Sequence, residues 1–239
     1  KVIEKLPFPH QIIYEDENIL AALKPSGLLV HGDESEKRIT LTNQVLSYLM
    51  QKGEYDPSKQ HGFIPAPAHR LDRNTSGLVL FGKNLPTLQS LLELFKSKEQ
   101  ITKTYLALVV GRVNKDGEIN APLLKDEKEG KVRIGSVKEG AKEAHTKYYV
   151  KQKLNDYTLL EIEILTGRTH QIRVHTSYIG YPIVGDDTYS NGKNPFGVTS
   201  QMLHSRTLGI THPTTGEYME FNAPIPEEFE NVLKKLREE

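Results

Sequence analysis

The chain contains no cysteine. That excludes a disulfide framework, a thiolate zinc site and a cysteine nucleophile together. Net charge is missing too: 31 Lys and Arg stand against 31 Asp and Glu, a formal +0. Nucleic acid therefore cannot be held through overall charge, and any basic face must be offset by an acidic one elsewhere. No apolar run approaches the roughly 20 residues that span a bilayer, and nothing at the start reads as a secretory signal, so a cytoplasmic protein with no membrane partner is expected. Neither usual Gly-rich phosphate loop occurs, nor HExxH, nor GxSxG. His170 and His175 miss the i, i+4 register that would put two metal ligands on one helix face. The expectation is a reaction with no nucleotide, metal or redox cofactor.

What is present suits a globular enzyme. With 239 residues, 37% of them hydrophobic, the chain can build one substantial core or two modest lobes sharing a cleft. It is expected to form a single catalytic domain over residues 1–239 and to act as a monomer. It opens on Lys1 rather than Met, as a domain cut from a longer chain would.

The segment Ile12 to His31 reads as strand, turn, strand, turn, strand, with Lys24-Pro25-Ser26-Gly27 as the second breaker. Helical spacing marks Thr42 to Met50, and a loop runs from there to Ala68. Gly77 to Phe81 is a buried strand, and Asn84-Leu85-Pro86 opens a helix that ends near lysines 96 and 98. Lys103 to Val110, Thr146 to Val150 and Tyr157 to Leu165 are strands, with a hairpin region over Ile119 to Lys138. Glu161 and Glu163 fall on the polar face of the third of these strands. Thr169 is the expected N-cap of the helix HQIRVHTSY. Leu203 to Ile210 and Tyr218 to Phe221 form a last β unit, and an amphipathic helix follows Pro226. Strands outnumber helices without alternating with them, so the class is α+β with a largely antiparallel sheet.

Two clusters carry the chemistry. In His69 to Gly77, HRLDRNTSG, the acid Asp72 sits between Arg70 and Arg73 at the edge of a strand. Taken alone it is a surface turn with an ion pair worth no more than about 1 kcal/mol. The second cluster, TGRTHQIRVH, sets Arg168 and Arg173 at the start of a helix, where cations oppose the dipole and need an anion. Asp72 or a phosphate would supply it.

HRLDRNTSGLVLFGK closely resembles the active-site motif of pseudouridine synthases of the RluA type, and GRTHQIRVHTSYIGYPIVGDDTY resembles that family's second signature. The likeness extends through YEDENILAALKPSGLLVH, KTYLALVVG and LHSRTLGITHPTTGEYMEFNAPIPEEF, in the same order. It implies the pseudouridine synthase fold, an α+β domain with a mixed, mostly antiparallel sheet in two lobes around a cleft. It also implies isomerisation of uridine to pseudouridine in RNA, without a cofactor.

By the same resemblance Asp72 is the catalytic aspartate, Tyr105 the active-site tyrosine, Arg173 the arginine that pairs with the aspartate, and Arg70 the residue that displaces the target base. Leu71 and Ile172 are expected to pack, Thr75 and Ser76 to hold the turn. Arg73, Lys83, Lys103, Arg168 and His175 are the expected RNA-binding face. Large-subunit ribosomal RNA is the favoured substrate class, transfer RNA the alternative. A small S4-like RNA-binding domain, frequent in the family, is not expected within residues 1–239. Two other classes compete: an idle RNA-binding or ribosome-assembly module, which would have no use for the trio, and a two-carboxylate glycosidase, which lacks a second acid near either signature.

Overall fold

The computed structural model describes residues 5–59, 62–97, 100–192 and 194–239. The expected Lys98 at the end of the second helix lies outside the described residues. The chain divides into two compact units, Lys1–Ile101 with Leu208–Ala223, and Thr102–Thr207 with Pro224–Glu239.

In the first unit β1 (Ile12–Glu15) pairs with β2 (Ile19–Lys24), and β2 pairs antiparallel with β4 (Ser76–Gly82) in a register that sets Lys24 opposite Gly77. The two-residue β3 (Ala66–Pro67) lies along β4. All seven residues of β4 are buried, as a continuous apolar run covered on both faces requires. The helix α1 (Leu41–Gln51) is capped by the Thr40 side chain. In α2 (Leu85–Lys96) the Asn84 side chain accepts from the Thr87 N–H, Pro86 occupies the first turn, and Lys96 sits in the last. Leu91 and Leu94 of α2 pack on Ile19, Leu78 and Leu80, and the core is completed by Leu208, Ile210 and Phe221.

Leu28 to Val30, expected as a third strand, is irregular. Its carbonyls are used otherwise: Leu28 accepts from the Lys24 ammonium, and Leu29 and Val30 accept from the first backbone N–H groups of α1. A strand ladder and a helix N-terminus compete for the same acceptors, and the helix wins.

In the second unit β5 (Ile101–Val110), β10 (Tyr157–Ile164), β9 (His145–Leu154) and β6 (Gly117–Asn120) pair antiparallel in that spatial order. The short β7 (Leu123–Lys125) and β8 (Val132–Ile134) make a separate hairpin. Glu161 and Glu163 are half-exposed between buried Leu160, Ile162 and Ile164, as the alternation demands. The helix α3 spans Gln171–Tyr178. The last helix, α4 (Glu227–Arg237), buries Phe229, Val232, Leu233 and Leu236, one stripe at helical spacing, with acids in its first turn and bases in its last. The first residues of β11 (Leu203–Thr211) belong to this unit, and its end, with β12 (Tyr218–Asn222), belongs to the first. The architecture is the α+β class expected. Among the described residues no helix is long and apolar enough to cross a membrane.

Candidate active site

Asp72 stands on a turn that is tied down from three directions. Its own carbonyl accepts from the Thr75 N–H at 3.0 Å, and Thr75 and Ser76 are buried, as residues that hold a turn should be. Leu71 is buried just before it. Upstream, the His69 ring stacks on Phe95 with centroids 4.2 Å apart, and its Nε2 accepts the Leu80 N–H at 3.0 Å. Accepting at Nε2 fixes His69 as the neutral tautomer with its proton on Nδ1. The HRLD segment is thus anchored to the strand that follows it, and Asp72 projects half-buried from a rigid support.

The loop Pro25–Leu28 supplies the third tie, and its key residue was not singled out by sequence. Lys24 is no exposed turn residue but the fully buried end of β2. Its ammonium donates to the carbonyls of Pro25 (2.9 Å), Leu28 (2.7 Å) and Arg73 (2.9 Å). The Gly27 N–H donates to the same Arg73 carbonyl at 2.8 Å, and the Ser26 hydroxyl donates to Asn74 at 3.1 Å. Burial pulls Lys24 down to about 7; the Asp72 carboxylate opposes that fall and the Arg73 guanidinium adds to it. A lysine closing the apolar run ILAALK was the available signal.

Around Asp72 the two arginines differ. Arg70 is exposed, and its charge, after burial, helps hold His31 below the usual imidazole range. Arg73 reaches the other way, to the Ser35 hydroxyl at 3.2 Å and the Gly27 carbonyl at 3.4 Å. The loop it meets is ordered by Asp33, whose carboxylate accepts from the Ser35 and Glu36 N–H groups.

In the second unit Tyr105 is buried on β5 opposite Ile162. Ile172 packs as expected, and Arg173 is buried beside it. Asp186 receives Arg173 in a two-point grip, Nε to Oδ2 at 2.8 Å and Nη2 to Oδ1 at 3.0 Å, and Asp187 adds a carboxylate at 3.6 Å. The Arg173 guanidinium also lies over the Tyr189 ring, 5.1 Å from its centroid. The helix-start cation therefore has a partner in Asp186, an acid inside the quoted signature that sequence reasoning passed over.

The turn before α3 is set by one buried glutamine rather than by a capping threonine. The N-cap is His170 in the left-handed region (φ 54°) with no side-chain cap, so Thr169 is not the cap. Gln171 accepts from the Arg168 N–H and the Thr166 hydroxyl, and donates to the His145 carbonyl and the Thr146 hydroxyl. Every polar position of the amide is used, which fixes where Arg168 leaves the backbone.

Two residues of the expected RNA-binding face, Lys83 and His175, are held inside their own units. Lys83 has a buried side chain gripped by Glu15 at 2.6 Å and Glu54 at 2.7 Å, so its charge is already matched inside the first unit. His175 is fully buried, with Nδ1 at 2.7 Å from the Thr146 hydroxyl and Nε2 at 2.9 Å from the Ala121 carbonyl. Burial holds it below the usual imidazole range, and it serves as a neutral strut.

Residues 18–178 match the profile of the family described as RNA pseudouridylate synthase. The chain belongs to this family. It is 38% identical over 233 residues to an uncharacterized RNA pseudouridine synthase of Bacillus subtilis, covering 97% of this chain and 74% of that one. It is likewise 38% identical over 236 residues to ribosomal large subunit pseudouridine synthase C of Escherichia coli, covering 95% and 70%. The solved structure of human RNA pseudouridylate synthase domain containing 4 superposes with a TM-score of 0.75 at 25% identity, over 95% of this chain and 92% of that one. Pseudouridine synthases are isomerases acting on RNA, and the RluA-type motifs place this chain among them.

Proposed function

We propose that this pseudouridine synthase modifies chosen uridines of large-subunit ribosomal RNA in the cytoplasm, with Asp72, Tyr105 and Arg173 acting on the uridine. The observation that carries the assignment is Asp72 on a turn held by Lys24, Thr75 and His69, which presents one carboxylate from a turn hydrogen-bonded on several sides. The substrate class rests on the names of relatives such as the Escherichia coli enzyme.

The chemistry asks for little else. The bond from the ribose C1′ to uracil N1 breaks, the base turns, C1′ bonds to C5, the C5 proton leaves and N1 is protonated. Nothing is oxidised or added. Asp72 supplies the carboxylate that this exchange needs beside the sugar and base, Arg173 a guanidinium for the reacting uridine, and Tyr105 a flat apolar face for the uracil with a hydroxyl at its edge. Removing the base from its stack costs a few kcal/mol, and the exposed Arg70 is placed beside Asp72 in sequence to fill the vacated space.

The test is a map of pseudouridine in ribosomal RNA from cells with the gene, without it, and with Asp72→Asn in its place. At least one large-subunit uridine should lose its modification in the deletion and in Asp72→Asn. Restoration of every lost pseudouridine by Asp72→Asn would overturn the assignment.

A further inference from the structure

Within the second unit, among the described residues, one lysine is largely buried with no anion at its tip. Lys103 is 6% exposed, and among the described residues it has neither a hydrogen-bond partner nor a carboxylate. Burial, and then the charge of Arg168, hold it below the usual ammonium range. A lysine in that position costs stability unless something negative arrives.

The surroundings leave its tip open. Gly167 faces it: a Cβ built on Gly167 would meet only the Lys103 Nζ, at 3.8 Å. The backbone at Gly167 is not in the left-handed region, so glycine is not demanded by conformation there. Next in sequence, Arg168 is exposed; its Nε donates to the Glu143 carbonyl at 2.7 Å, and among the described residues no carboxylate meets its guanidinium. Gly167 and Arg168 also border a cavity of about 310 Å³ lined by Lys125 and Lys142, with Glu127 as the one acid among its lining residues, 3.9 Å from Lys125. Lys103 and Tyr105 lie two residues apart on β5, on the same buried face, which spaces them by roughly 7 Å.

We propose that Lys103 and Arg168 form a phosphate site that takes a phosphodiester of the RNA strand carrying the target uridine. The proposal rests on the RNA-modifying reading above and adds the strand's point of attachment. A bound phosphodiester supplies the anion both cations lack, Gly167 admits it, and Gln171 holds the Arg168 backbone in place. The preference is for the backbone, not the base, so it positions RNA without reading sequence.

The experiment is fluorescence anisotropy of a labelled twelve-residue oligouridylate over a salt series. Full-length wild type is compared with Lys103→Met, Lys103→Arg, Arg168→Gln and Gly167→Val. Gly167→Val keeps every charge and covers the Lys103 tip. Lys103→Met and Arg168→Gln should each weaken binding roughly tenfold at low salt and lower the slope of log K against log salt by about 0.7, the value of one lost phosphate contact to a single strand. Gly167→Val should weaken binding as well, and Lys103→Arg should restore the wild-type slope. Unchanged slopes and affinities in folded Arg168→Gln and Gly167→Val overturn the site, whatever Lys103→Met does to folding. The readout is independent of turnover, so a failed pseudouridine map with altered slopes would sink the substrate assignment and leave the phosphate site standing.

Discussion

Arg173 and Asp186 grip each other through two nearly parallel hydrogen bonds, 2.8 and 3.0 Å long, with both side chains buried. Burial alone would push the Asp186 carboxyl up; the Arg173 hydrogen bond and charge, with the Tyr189 and Thr188 N–H groups, outweigh it and hold Asp186 below the usual carboxylate range. Arg173, proposed above to act on the uridine, is thus held by an acid of its own unit.

Removing that acid should cost more than one contact. Asp186→Ala leaves a buried guanidinium short of a partner, and denaturant unfolding should show a loss of about 3–5 kcal/mol. Activity should fall further than the loss of folded protein explains. Because Asp186 has a lowered folded pKa, its contribution is present above the ordinary carboxylate range and fades as pH falls through the folded value. The acid limb of the wild-type stability curve should therefore flatten in the variant.

Lys24 gives the opposite test. Its folded value of about 7 lies below the ordinary 10.5, so between those pH values the unfolded chain binds a proton that the folded chain does not. Stability should rise with pH over that window, with a limiting slope of about 1.4 kcal/mol per pH unit. Thermal melts of Lys24→Met should lack this rise. The variant should also lose activity, since the Arg73 carbonyl behind Asp72 loses its ammonium donor.

Lys83 should prove structural. Burial pushes Glu15 up, but hydrogen bonds led by that from Lys83 bring it below the usual range; in Glu54 the Lys83 bond is the largest effect and lowers it directly. Both acids stabilise the fold above their ordinary range and stop doing so as pH falls through their folded values. Lys83→Met should shift acid unfolding to higher pH while leaving the salt slope of RNA binding unchanged. A slope reduced by about 0.7 would return Lys83 to the RNA face.

Gly185, next to Asp186, combines positive φ (80°) with close packing: an added Cβ would stand 2.5 Å from the Ser200 carbonyl oxygen and from a Val198 methyl. Gly185→Ala should destabilise by at least 1–3 kcal/mol in equilibrium unfolding, since backbone strain and overpacking act together. A neutral result would mean that the Val198–Ser200 segment yields.

The sequence by itself determined what local chemistry dictates. Apolar runs and alternation located β4 and β10, Asn84 and the amphipathic stripe located α2 and α4, and the motifs HRLD, KTY and HQIR pointed to the family. Composition removed cysteine chemistry outright. Tertiary structure decided which polar groups were already satisfied. Lys83 looked like a surface cation until Glu15 and Glu54, 68 and 29 residues away, closed on it. His175 looked available until the Thr146 hydroxyl and the Ala121 carbonyl took both its nitrogens. Lys24 passed for punctuation until three carbonyls converged on it, and Asp186 gained meaning only when the chain folded it against Arg173. A side chain's type is local, but its charge state and freedom depend on partners far along the chain. In this chain that difference makes Lys24, Lys83, His175 and Asp186 parts of the scaffold.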